Sequence, residues 1–262
     1  MSNKSISILG VRVDCLTNGE VLQQCKEWLV ADTGGHQIVT VNPEFVMEAQ
    51  HNKQFREIIN SAACSTADGV GLLFASSYVS GGACRLHRLT GVDLTMNLAE
   101  LCSRNDKRLY LLGATGGVAE KVGMELKKLY PSLMIAGVEE GIKTGYSKDQ
   151  SDNVLDQQIC KRITDSQANV LLVAFGAPKQ DLWISENLGK LPTVKIAVGV
   201  GGTFDYIARV VPRAPKWMRV IGFEWTYRLM TQPYRWRRII TAAVRFPLAV
   251  LFSKSTTLNS KL

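Results

Sequence analysis

The chain has 262 residues, of which 46% are hydrophobic, and a formal net charge of +8 at pH 7. This length and hydrophobic fraction suit one sizeable globular domain, with or without an appendage. No run of about 18 apolar residues occurs, and the first residues, MSNKSISILGVRVD, lack the apolar core of a secretory signal. We therefore predict neither a membrane-spanning helix nor a cleaved leader.

The charge is unevenly distributed along the chain. Residues 209–262 carry eleven Lys and Arg residues and one acidic residue, Glu224, a charge of +10. Residues 1–208 carry 20 basic and 22 acidic groups, a charge of −2. This asymmetry indicates an anionic partner surface, either nucleic acid or membrane. We predict a domain at 1–208 and a basic appendage at 209–262, in which prolines break the chain at 212–215.

The sequence has no pattern typical of a metal site. Its three His residues have no ligand spacing to one another, and no D-x-D pair occurs. Six scattered cysteines form no CxxC pair, which argues against zinc and favours reduced thiols in a cytosol. They are Cys15, Cys25, Cys64, Cys84, Cys102 and Cys160.

Strand and helix patterns alternate along the first 200 residues. Apolar runs predict strands at 6–13, 37–41, 64–67, 108–112, 133–138, 170–175 and 194–200. Amphipathic or capped segments predict helices at 19–30, after 42, and at 72–78, 90–103, 118–130, 149–165 and 179–188. This alternation predicts an α/β fold with one doubly wound, Rossmann-like parallel sheet and a basic helical C-terminal appendage.

Ligands of such sheets bind at the carboxyl ends of the strands, beside glycine-rich loops and helix N-termini. Small residues follow the strands ending near 112, 175 and 199. The alternative is that these loops are ordinary turns between strands and helices. The candidate binding residues at this edge are Thr40, Asn42, Gly113, Gly116, Gln180, Gly201, Gly202 and Asp205.

Asp68 is the carboxylate best placed at that edge to serve as a general base. It follows the predicted strand 64–67 and precedes Gly-Val-Gly, so little side-chain bulk stands beside it. The alternative is a structural role, because an Asp before a helix is commonly its N-cap.

The loop from Gly113 to Gly117 raises a second function, an NAD(P)-dependent oxidoreductase. It follows a strand and opens a helix, and Glu139 and Glu140 end the next strand, where a ribose-binding acid belongs. Ala119 or Glu120 occupies the third glycine position, and no Tyr-x-x-x-Lys pair follows.

The tail combines Arg and Trp residues in two predicted helices, 216–230 and 234–252. Such a mixture suits the interface of an anionic bilayer, where apolar contact and charge attraction add. Pro247 argues against a long straight second helix. The alternatives are a packed helix pair with a solvated basic side and a nucleic-acid-binding tail. The last would leave the α/β part without a purpose, so we predict no nucleic-acid partner.

Seven motifs occur in order along nearly the whole chain. They are VTVNPE (39–44), ADGVG (67–71), RLTGVD (88–93), FGAPKQD (175–181), GVGGTFD (199–205), RAPKW (213–217) and GFEWTYRL (222–229). In these motifs the chain resembles the WecG/TagA/CpsF glycosyltransferases, glycosyltransferase family 26. It departs from the family pattern at Asp181, where Glu is usual, at Arg209, where Gly is usual, and at Gln232, where Glu commonly precedes Pro.

The resemblance implies a metal-independent, inverting transfer of a sugar from a UDP-sugar, without a cofactor. The acceptor would be a saccharide on undecaprenyl diphosphate, in bacterial surface polysaccharide or teichoic acid synthesis. The donor sugar would be of the N-acetylmannosamine, N-acetylmannosaminuronic acid or glucose type. The protein would be peripheral on the cytoplasmic face of the inner membrane, docked through residues 209–262. A homo-oligomer, in which the tails of neighbouring subunits pack against each other, stays an alternative to a monomer.

The resemblance also implies roles for individual residues. Asp68 would deprotonate the acceptor hydroxyl, and Thr40 and Asn42 would line the sugar pocket. Arg88 and Gln180 would hold donor or acceptor. Three arginines of the tail, Arg213, Arg228 and Arg235, would offer charge to the diphosphates.

Overall fold

A six-stranded parallel sheet lies at the centre of the protein. The structure is a computed structural model and describes residues 4–32, 34–141, 150–212, 214–215, 218, 224–231, 236–253 and 257–259. Its strands are β1 (Ser5–Ile8), β2 (Val11–Asp14), β3 (His36–Val41), β4 (Cys64–Ala67), β5 (Arg108–Gly113), β6 (Met134–Glu139), β7 (Val170–Ala174), β8 (Ile196–Gly199) and β9 (Thr257–Asn259). The central sheet has the order β4-β3-β8-β7-β5-β6, with every pair parallel. The predicted α/β fold is confirmed.

Helices follow most strands of the central sheet and cover both of its faces. They are α1 (Asn18–Val30), α2 (Pro43–Glu48), α3 (Lys53–Ser61), α4 (Val70–Ser80), α5 (Gly91–Arg104), α6 (Val118–Leu129), α7 (Gln150–Asp165), α8 (Lys179–Asn187), α9 (Thr203–Ile207), α10 (Glu224–Thr231), α11 (Trp236–Ile240) and α12 (Phe246–Phe252). A 3₁₀ turn, Leu188–Lys190, extends α8, and a π-helical turn, Thr241–Arg245, joins α11 to α12.

The strand period of two distributes the apolar residues between the two faces. In β5, Leu109 and Leu111 are buried against α1, α5 and α6. Tyr110 and Leu112 point the other way and pack with Trp183 and other residues of α7 and α8. This two-sided burial explains why the strands read as continuous apolar runs.

The N-terminus forms a hairpin, so the single strand predicted at 6–13 is wrong. Leu9 and Gly10 both have positive φ, at 52° and 79°, and they turn β1 back onto β2. Positive φ at both turn residues is typical of the two-residue turns that join antiparallel strands. β9 adds to β1 as a third antiparallel strand.

Cys15 and Cys84 are joined by a disulfide, with their Cα atoms 5.7 Å apart. The prediction of six reduced thiols is therefore wrong for this pair, because the fold brings together two residues separated by 69 positions. Cys25, Cys64, Cys102 and Cys160 are free and buried.

The C-terminal helices pack on the α/β part of the protein. Phe246 and Val250 of α12 are buried in one cluster with residues of the hairpin, α2, α3 and α4. Pro247 lies in the first turn of α12, directly after the π turn. The irregular turn accommodates a proline that has no N–H to donate to a regular helix. The proposed domain boundary at 208 stays a prediction.

Within the described part of the chain, no helix combines the length and the hydropathy needed to span a bilayer.

Replacing Cys15 with Ser is expected to lower the free energy of unfolding by about 2–4 kcal/mol in non-reducing buffer, because the disulfide closes a long loop in the unfolded chain. Urea titrations of variant and wild type measure this difference. In excess dithiothreitol the two proteins should unfold at the same urea concentration. A difference that persists after reduction would assign the effect to packing around residue 15.

Candidate active site

A cavity of about 400 Å³ opens at the carboxyl ends of β3, β4, β7 and β8. This is the edge predicted to bind a ligand. The predicted residues that line the cavity are Thr40, Asn42, Asp68, Arg88, Gln180, Gly201, Gly202 and Asp205. Residues from five separate motifs therefore meet at one site, although up to 165 positions separate them in the chain.

Backbone pairing places Asp68 beside Arg88. The Asp68 N–H donates to the Val41 carbonyl at 2.6 Å, and the Leu89 N–H donates to the Ala67 carbonyl at 2.9 Å. Ala67 and Arg88 form a parallel bridge, so residues 88–89 run alongside the end of β4. Two residues twenty positions apart thus reach the same wall of the cavity.

The Asp68 side chain is not the cap of α4. Gly69 occupies the N-cap position, and no side-chain hydrogen bond caps this helix. The Asp68 Oδ2 atom instead accepts from the Gly91 N–H at the start of α5, at 3.4 Å. The N-cap alternative is therefore wrong, and the carboxylate faces the cavity.

Thr40 and Asn42 lie at the end of β3, on the floor of the cavity. The Thr40 hydroxyl donates to the Gly199 carbonyl at 3.4 Å, across the β3–β8 pair. Asn42 caps α2 as predicted: its Oδ1 atom accepts from the Phe45 N–H at 3.0 Å, and Pro43 occupies N1. The cap fixes the direction of the Asn42 side chain at the cavity wall.

Gln180 shapes the glycine loop after β8. Only 1% of the residue is exposed, and its Oε1 atom accepts from the Gly201 N–H at 2.8 Å. A Cβ atom at Gly199 would lie 2.6 Å from Gln180 Nε2 and 2.7 Å from Asp181 Oδ1. Glycine is therefore required at 199, because two polar side chains of α8 pack directly on its Cα.

Asp181 is a buried acid that sequence reasoning noted only as a departure from the family pattern. Its side chain is fully buried, and within the described structure neither carboxyl oxygen has a well-formed hydrogen bond. Burial raises its pKa to about 7, although contact with the Gln180 amide opposes the rise. The residue is thus a largely protonated acid below about pH 7, directly beneath the glycine loop.

The Gly113–Gly117 loop does line the cavity, but not through the two glycines that were predicted to bind the ligand. Ala114 and Thr115 line it, whereas Gly113 and Gly116 are not among its lining residues. Gly113 has φ +116° and packs its Cα against the Ala174 backbone, so its role is close packing between strands.

The acids at the end of β6 are engaged within the protein. Glu140 accepts from the Gly117 N–H at 2.8 Å. Glu139 accepts from the Tyr110 hydroxyl at 2.9 Å and pairs with Arg162. The carboxylate at Gly117 takes the position that a pyrophosphate occupies in a dinucleotide-binding loop, so the geometry does not support the oxidoreductase alternative.

Arg238 of α11 also lines the cavity and was missed by sequence reasoning, as were Thr90 and Tyr206. Its Nε atom pairs with Glu44 Oε2 at 2.6 Å, which brings the basic C-terminal segment to the mouth of the cavity. Arg238 lies three positions after the predicted Arg235 in the sequence. Of the predicted tail residues, Arg213, Arg235 and the side chain of Arg228 lie outside the described part of the structure.

The arrangement suits a polar, anionic ligand. Asp68 offers a proton acceptor, Arg88 and Arg238 offer guanidinium groups, and the glycine loops allow close backbone approach. Across the described ranges, no group of three or more His, Cys, Asp and Glu side chains is arranged to hold a metal ion.

Replacing Asp181 with Asn is expected to stabilise the protein at pH 8. In the wild type the carboxyl pKa is about 7 when folded and near 3.8 when unfolded, so stability is lost as pH rises from 4 to 7. The loss amounts to at most about 4 kcal/mol. Urea titrations at pH 5 and pH 8 should give a smaller difference for the variant. Asp165→Asn on the exposed side of α7 is the control, and an equal effect in both variants would contradict the prediction.

Comparison with known proteins identifies the family. The chain matches the glycosyl transferase WecG/TagA/CpsF family over residues 6–260. It is 33% identical over 204 residues to a Bacillus spizizenii protein named N-acetylglucosaminyldiphosphoundecaprenol N-acetyl-beta-D-mannosaminyltransferase, covering 78% of this chain and 74% of the relative. Proteins of the same name from Bacillus subtilis and Staphylococcus aureus are each 31% identical, over 83% and 89% of this chain and 79% and 86% of their own lengths. The family predicted from the motifs is confirmed, and the chain belongs to the WecG/TagA/CpsF glycosyltransferases.

Proposed function

We propose that the protein transfers N-acetylmannosamine from its UDP derivative to a saccharide carried on a polyprenyl diphosphate, with inversion and without a metal. The observation that carries this proposal is the meeting of the Asp68 carboxylate with Arg88 and Arg238 at one cavity. The names of the relatives support the transferred sugar and an acceptor in which N-acetylglucosamine is joined through a diphosphate to undecaprenol.

Asp68 is proposed as the general base. An acceptor hydroxyl is a weak nucleophile, and removal of its proton as it attacks the anomeric carbon lowers the barrier. The new bond forms from the acceptor oxygen to the anomeric carbon while the bond to the UDP oxygen breaks on the opposite face. The contact with the Gly91 N–H orients the carboxylate for this proton transfer.

Guanidinium groups are proposed to stabilise the UDP leaving group. Negative charge accumulates on the departing diphosphate, and arginine meets such charge with paired N–H donors. Arg88 and Arg238 both line the cavity, although they come from distant parts of the chain. Arg213, Arg228 and Arg235 are proposed as further cations from the tail. We propose that these groups stabilise the leaving group without a metal ion.

An apolar stripe on the C-terminal helices is proposed to dock on the cytoplasmic face of the membrane. Its members are Trp236, Ile240, Val244, Leu248, Leu251 and Phe252, which are 40–83% exposed. They recur about every fourth residue, a spacing that the π turn keeps on one side of the segment. Exposed apolar side chains beside arginines match the interface of an anionic bilayer.

The reaction class is tested by UDP release from a panel of UDP-sugars, with a lipid-diphosphate N-acetylglucosamine acceptor analogue and EDTA in the buffer. We expect acceptor-dependent release with UDP-N-acetylmannosamine. Release only with UDP-N-acetylmannosaminuronic acid or only with UDP-glucose would assign that donor to the protein. Release only after metal is restored would contradict metal independence.

Replacing Asp68 with Asn should lower the transfer rate by about 10²–10⁴, because the general base is removed. The same assay measures this loss, and calorimetry should give an unchanged affinity for UDP. Asp106→Asn, in the turn after α5, is the control and should keep wild-type activity. Transfer by the Asp68 variant within about threefold of wild type would remove this residue as the base.

The double replacement of Leu251 and Phe252 with Ser should weaken sedimentation with anionic liposomes, because it removes exposed apolar area from the docking stripe. The matched control replaces Met124 and Leu129 of α6, which are 56% and 59% exposed, with Ser. Equal loss in the two double variants would show that general surface hydrophobicity, and not this stripe, drives membrane binding.

A further inference from the structure

A second cavity of about 430 Å³ lies next to the first, between α2 and the C-terminal helices. Its apolar side includes Phe45, Met47 and Phe55, and its basic side includes Arg237 and Arg245. The volume falls in the range of cavities that hold small ligands. None of the roles assigned to the first cavity uses this space.

The two cavities share a wall. Glu44, Phe45, Ala177 and Arg238 line both of them. Glu44 and Arg238 form the ion pair across this wall, and their side chains are 26% and 54% exposed. An ion pair this exposed contributes little to stability, because water and salt screen it. A ligand that offers its own anionic oxygens to Arg238 therefore competes with Glu44 at little cost.

The lining of the second cavity is amphipathic with a surplus of positive charge. Three arginines, Arg237, Arg238 and Arg245, stand against two acids, Glu44 and Glu48, and Glu44 is already paired with Arg238. Within the described residues, Arg237 and Arg245 have no carboxylate partner. Guanidinium groups recognise phosphate oxygens, and the apolar side accepts hydrocarbon. A free sugar satisfies neither requirement.

We propose that the second cavity binds the diphosphate and the first isoprene units of the lipid acceptor, while the first cavity holds the sugars. The inference rests on the proposed function. Arg237 and Arg245, which line the second cavity and not the first, meet the diphosphate of the acceptor, while Arg238 at the shared wall keeps its proposed role at the UDP leaving group. The docking stripe lies on the same C-terminal helices that line this cavity. A hydrocarbon chain leaving the cavity therefore reaches the apolar surface that faces the bilayer.

Binding of farnesyl diphosphate, below its micellar concentration, tests the proposal by calorimetry on the full chain saturated with UDP. We expect it to bind at least tenfold more tightly than inorganic diphosphate, because the apolar side contributes. Arg245→Gln should weaken farnesyl diphosphate binding at least fivefold and leave UDP affinity unchanged. Filling the cavity with His51→Trp should have the same effect. Arg104→Gln, at the far end of α5, is the matched control.

Four results would overturn the proposal, and the first three concern farnesyl diphosphate directly. These three are no binding of farnesyl diphosphate to the wild type, binding that UDP abolishes, and equal affinities of the Arg245→Gln and Arg104→Gln variants. Binding no tighter than that of inorganic diphosphate would also overturn it, because the site would then recognise an anion alone. Binding that depends on Arg245 in a protein that transfers no sugar would reject the proposed function and keep the site. Sugar transfer by a protein that does not bind farnesyl diphosphate would reject the site in the second cavity and keep the proposed function.

Discussion

Parallel backbone pairing is the constraint on which the site depends. β3 pairs with β4 on one side and with β8 on the other, and all three run in the same direction. Their carboxyl ends therefore emerge together, which places Thr40, Asp68 and the glycine loop after Gly199 around one space. A one-residue change of register would turn every side chain of a strand to the opposite face. The apolar burial of both faces fixes that register more strongly than any contact within the site itself.

The loops that complete the cavity are held by close packing beneath them. Gly199 leaves room for the side chains of Gln180 and Asp181, and Gln180 then binds the backbone of Gly201. Burying the acid Asp181 beneath this loop costs free energy, and the surrounding structure offsets that cost. The glycines of this loop therefore meet two requirements. One is close approach of a ligand at the edge of the sheet, and the other is room for the side chains of α8. Only the first was recognised from the pattern.

The C-terminal segment connects the chemistry with the location of the substrate. Burial of Phe246 and Val250 contributes about 1.5–3 kcal/mol each and holds α12 on the α/β part. The exposed Glu44–Arg238 pair contributes little to stability, so its importance lies in bringing a cation to the shared wall of the two cavities. One segment therefore offers a buried face to the protein, arginines to the cavities and an apolar stripe to the proposed membrane.

Local patterns in the sequence determined the order of strands and helices, the cap at Asn42 and the residues at the ligand edge, because periodicity and capping act over a few positions. The seven motifs also determined the family. The hairpin at Leu9 and Gly10, the pairing of Cys15 with Cys84 and the buried state of Asp181 were decided by tertiary structure. So was the contact of Arg238 with Glu44, because it joins two residues 194 positions apart in the chain. The second cavity likewise arises where α2 meets helices almost two hundred residues away, a contact that no local pattern encodes.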